Sequence, residues 1–70
     1  MHLDTTDYLK KALLDTQERI RDYMGYAGEI QDENVSSCFR EFAETEGLHA
    51  SQLQDMITDF EHPQYGAYHG

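Results

Sequence analysis

The apolar residues of this chain return every three or four positions in two separate runs, a spacing that admits little besides packed helices. The first run is Leu9, Leu13, Ile20, Tyr23, Ala27 and Ile30, with Thr16 filling the missing step. The second is Val35, Phe39, Phe42, Leu53, Met56 and Phe60, with Glu46 and His49 in its two middle places. Alternating three- and four-residue steps draw a seam along one side of an α-helix. Between the runs stands "QDEN", Gln31 to Asn34, polar throughout and free of glycine and proline. A single valine, three isoleucines and no sustained two-residue alternation give no strand signal.

The ends of both helices can be read. Asp4 or Thr5 can cap the first, with Asp7 in its first turn, and Asp32 can cap the second, with Glu33 at its positive end. The expected fold is all-α. Helix 1 covers about 5–31 and helix 2 about 33–61, together one hairpin domain over 4–61. A connection this short makes the helices antiparallel neighbours. The stripe of each helix is expected to pack against the other. The closing segment "HPQYGAYHG", residues 62–70, has no periodicity and is expected to be a flexible tail.

At 70 residues the chain makes one domain at most. A monomer of such size buries only about 60% of the surface its unfolded chain exposes. Disulfides, a metal or a partner chain usually supply the missing stability. The single cysteine, Cys38, cannot form an internal disulfide, which leaves metal or self-association and fits a reducing compartment. Two hairpins packed face to face would close a four-helix bundle, so a homodimer or larger homo-oligomer is expected. The net charge of −9, from 14 acidic against 5 basic residues, excludes nucleic acid and anionic membranes as ready partners and favours cations. No basic region followed by a long apolar core begins the chain, and no apolar run approaches the ~20 residues of a membrane span. A cytoplasmic location is the expectation.

Glu46 and His49 are the residues that carry chemistry. Three apart on a helix, they can reach one point. A carboxylate and an imidazole facing into a bundle are the donors that carboxylate-bridged iron or manganese centres use. A two-fold dimer would bring a second pair to the same level. The competing reading is a metal-free polar layer, in which Glu46 and His49 pair as ions or bond Thr16 and Gln17 and fix register and oligomeric state. Burying unpaired charge is costly under either reading.

Two stretches carry a family resemblance. "YMGYAGEI", Tyr23 to Ile30, and "CFREFAETEGLHASQL", Cys38 to Leu53, resemble the tyrosine-bearing helix and the Glu-x-x-His-Ala helix of the ferritin-like superfamily, above all the rubrerythrins and the short encapsulated ferritins. The resemblance covers roughly residues 16–57. It implies a two-helix protomer that dimerises into a ferritin-like bundle, Glu46 and His49 as metal ligands, iron as the metal with manganese or zinc as substitutes, and iron oxidation or storage. It also implies a further ligand, a glutamate on the first helix about seven residues before the tyrosine. Thr16 stands there, and Glu18 points almost opposite the seam. Four protein ligands in a dimer, instead of six, weaken the case for ferroxidase chemistry. The alternative is a structural hairpin, an oligomerisation or cargo module that kept the fold and lost the chemistry.

Other residues read more plainly. Tyr23 and Tyr26 are expected to pack. Cys38, beside the seam, is expected to act as a small hydrophobe. His62 and His69 are solvated histidines that a metal could recruit. Glu41, Glu44, Asp55 and Asp59 form a solvated acidic face. Leu14 and Leu48 point away from both seams and could share a small second patch.

Overall fold

The computed structural model describes residues 3–62, which form two α-helices, α1 (Thr5–Glu29) and α2 (Glu33–Glu61), packed against each other. Among the described residues there is no strand. Those of the tail after His62, with Pro63 and His69, lie outside the described residues.

Asp4 starts α1 with a reciprocal cap. Its Oδ1 accepts from the Asp7 backbone N–H at 2.9 Å, and its own N–H donates to Asp7 Oδ2 at 3.1 Å. Both carboxylates sit at the positive end of the helix, where negative charge is favoured. α1 stops at Glu29. Ile30 turns extended, at φ −77° and ψ 128°, while its N–H still reaches Tyr26 O at 2.9 Å. Asp32 then caps α2, accepting from the Val35 N–H at 3.0 Å. No residue of the connection needs a positive φ, which is why "QDEN" can turn the chain without glycine. At the far end Lys10 pairs with Glu61 and joins the start of α1 to the end of α2. That bond raises the Lys10 pKa above its ordinary value.

The packing differs from expectation in one respect. α1 presents its stripe to α2 as expected, with Thr16 and Ala27 buried and Leu9, Leu13, Ile20, Tyr23 and Ile30 half-buried. α2 answers with a different line: Ser36, Ala43 and Ile57 are buried and Ala50 half-buried. The small side chains of Ser36, Ala43 and Ala50 let the helix axes approach. Ser36 also donates its hydroxyl to the Ala27 carbonyl at 2.6 Å. The bulkier stripe from Val35 to Phe60 lies on the flank of this contact. Phe39, Glu46 and Leu53 are half-covered there, while Val35, Phe42, His49, Met56 and Phe60 are exposed. The hairpin therefore has a closed seam, to which α2 brings three small residues and Ile57, and, beside it, an open apolar face.

Aromatic rings crowd the turn end of that open face. Tyr23 lies 5.8 Å from both Phe39 and Phe42, centroid to centroid, and Tyr26 stands edge-on to Phe39 at 5.5 Å. Tyr23 and Tyr26 thus pack, as the sequence suggests. Cys38 is exposed, so it does not act as a buried small hydrophobe. Leu14 and Leu48 are also exposed, Leu48 at 67%.

Candidate functional site

Four side chains meet at mid-height of the hairpin: Thr16 and Arg19 from α1, Glu46 and His49 from α2. Thr16 is the most completely buried of them, at 2% exposure. Its hydroxyl accepts from Arg19 Nη2 at 3.1 Å. The Arg19 Nε donates to Glu46 Oε1, also at 3.1 Å. The other carboxylate oxygen, Oε2, faces His49 Nδ1 at 3.5 Å, an ion pair only when the imidazole is protonated. The Glu46 side chain is 18% exposed, whereas Arg19 and His49 are about half exposed.

Helix geometry explains the meeting. Glu46 and His49 are neighbours on one face of α2. Counting outward from the turn puts residues 16 to 19 of α1 opposite them. Glu18 and Gln17 are exposed, and neither takes part in the bonds of this layer. The participant that the sequence reading left out is Arg19. It sits on the flank of the α1 stripe, but its long side chain bends back across the helix contact to reach Glu46.

The layer has one charge-assisted bond on one oxygen of Glu46 and a longer contact on the other. Among the described residues no three His, Cys, Asp or Glu side chains gather at one place to hold a metal. Among the described residues, one chain offers only Glu46 and His49 as donors at this level. His62 is not part of the layer: it ends α2, its N–H donating to Thr58 O at 2.7 Å.

No family model, curated protein or solved structure matches the chain. The residues themselves must carry any functional reading. Among the described residues, no helix is long and apolar enough to cross a membrane.

Proposed function

We propose that two copies of the hairpin pair through the open face of α2 into a four-helix bundle, and that the Glu46 and His49 side chains of both copies meet inside it as a metal-binding layer. The observation that supports this most is placement. Glu46 and His49 lie in the middle of an exposed apolar stripe, between Phe42 and Leu53. A carboxylate and an imidazole there have a purpose if a partner covers them.

From Val35 to Phe60 the face runs about 38 Å at ~1.5 Å per residue, nearly the whole length of α2. Position along the hairpin adds a second support. Gly47 is the midpoint of α2 (Glu33–Glu61), and Gln17 is the midpoint of α1 (Thr5–Glu29). The polar layer is therefore at half height. Two hairpins in full overlap about a two-fold axis bring layer onto layer whether the turns lie together or at opposite ends.

Two carboxylates and two imidazoles suit iron or manganese, with zinc as a further candidate. Binding is the proposed function. Thr16 occupies the place where the ferritin-like resemblance would put another carboxylate, so no oxidation step is assigned. A second reading, a metal-free structural or cargo bundle, has its own support: Arg19 already neutralises Glu46. Elemental analysis of protein purified without chelator separates them. The metal reading expects iron, manganese or zinc in the wild-type dimer and none in Glu46→Ala or His49→Ala. A metal-free dimer that takes up none of these ions on dialysis leaves the structural reading.

A further inference from the structure

We infer that the turn half of the open face is a docking site for a cationic amphipathic helix of another protein. The inference rests, like the pairing above, on the open face being an interface, and it requires neither a metal nor a second copy. The floor of this half is aromatic. Tyr23 and Tyr26 of α1 meet Phe39 and Phe42 of α2, with ring centroids 5.5 to 5.8 Å apart. Tyr26, Phe42 and the neighbouring Val35 remain exposed, at 48%, 49% and 43%. An apolar groove along two packed helices is the seat that the apolar side of one further helix fills.

The rim sets the chemistry of that helix. Asp22 precedes Tyr26 by four residues and Glu29 follows it by three, so both carboxylates border Tyr26 on the α1 edge of the floor. They stand two turns apart, about 10.5 Å. Both are exposed, and among the described residues neither has an ion-pair partner. The opposite edge, Cys38, Glu41 and Thr45 at helical spacing on α2, adds a third carboxylate and no cation. Lysine or arginine side chains seven residues apart on a docked helix would answer Asp22 and Glu29, and a cation there also meets the Tyr26 ring. A second copy covers the floor but leaves the rim unanswered. Of its five basic residues, Lys10, Lys11 and Arg19 are paired with carboxylates of their own chain, and Arg40 bonds the Ser36 hydroxyl. Arg21 remains, about 200° around α1 from Tyr23 and so on the other side of the helix. A cationic helix satisfies both floor and rim, and so displaces a second copy with a net charge of −9.

The test uses a labelled, end-capped peptide of leucine, alanine and lysine, with leucines at three- and four-residue spacing and lysines seven apart beside them. Two control peptides carry glutamate for each lysine, or serine for each leucine. Fluorescence anisotropy reads binding to the full chain at low salt, and sedimentation of the same mixtures reads assembly. The lysine peptide should bind as one peptide per hairpin, and neither control should bind. Asp22→Asn with Glu29→Gln should weaken binding about three- to tenfold, the scale of two exposed ion pairs. Glu44→Gln with Asp55→Asn makes the same change in net charge on the opposite side of α2 and should leave binding at the wild-type level. Equal loss in the two double variants, or equal binding of the serine peptide, would show attraction to bulk negative charge and overturn the site. If the lysine peptide does not bind while the hairpin sediments as a dimer, the face belongs to a second copy; the inference falls and the proposed pairing stands. A peptide that binds without dissociating that dimer sits elsewhere, which also overturns the inference. A hairpin that neither binds the peptide nor dimerises overturns both.

Discussion

Phe42 is the most direct handle on the open face. It is 49% exposed in the single hairpin, one turn from Glu46, with its covered side against Tyr23 and Phe39. A phenylalanine buries 150–250 Å² when fully enclosed, so the uncovered half offers about 100 Å². At ~25 cal/mol per Å² that is about 2.5 kcal/mol per chain and about 5 kcal/mol per dimer. Phe42→Asp removes this and sets a new carboxylate beside Glu46. The dimer dissociation constant should rise by three orders of magnitude or more, at ~1.4 kcal/mol per tenfold. Leu48→Asp is the control. It is more exposed, at 67%, on the same helix, and away from both α1 and the open face. Sedimentation across nanomolar to micromolar concentration reads both. Phe42→Asp should dissociate while Leu48→Asp should assemble like wild type. If Leu48→Asp dissociates and Phe42→Asp does not, the interface lies on the other side of α2 and the polar layer faces water.

Gly25 sits inside α1 with nothing within 4 Å of where a Cβ would be, so Gly25→Ala should raise stability by about 0.5–1 kcal/mol in denaturant unfolding. The same substitution at Gly47, also clear, should stabilise without altering assembly. Thr16→Glu would place a carboxylate beside Arg19 and Glu46 in the tightest part of the helix contact. Unfolding should show a loss of about 1–3 kcal/mol from overpacking without metal, together with tighter Fe²⁺ binding under anaerobic titration. Glu46→Leu with His49→Leu should leave a folded assembly of equal or greater thermal stability, since an apolar layer often outperforms buried charge. Failure of that variant to fold, read by circular dichroism, would mean the pair does not face a core.

The hairpin was legible because three- and four-residue spacing survives on both sides of a polar break, and because Asp4 and Asp32 stand where caps belong. The height of the candidate layer was legible too, since counting outward from the turn sets Thr16 opposite Glu46. What the pattern hid was which line of α2 meets α1. Hydrophobicity marks the stripe of Phe39, Phe42, Leu53 and Phe60, whereas the contact uses Ser36, Ala43 and Ala50, whose small size matters more than their polarity. Two adjacent lines on one helix, one small except for Ile57 and one bulky, suit two different neighbours. Arg19 falls on the flank by spacing, which gives it no part in the layer. A helical wheel records where the Cα–Cβ bond points, and a long flexible side chain can cross from the flank to the seam.

Melting of the wild-type chain with and without Mn²⁺ tests the metal-binding bundle most directly. An ion that binds only the native assembly, supplied at about 100 times its dissociation constant, stabilises by about 2.7 kcal/mol. For an assembly of this size that is a rise of about 5–10 °C. The metal-binding bundle predicts that rise in wild type and its loss in His49→Ala. Identical melting curves with and without the ion, from a protein that sediments as a dimer, would contradict it and leave Glu46 and His49 as a structural layer held by Arg19.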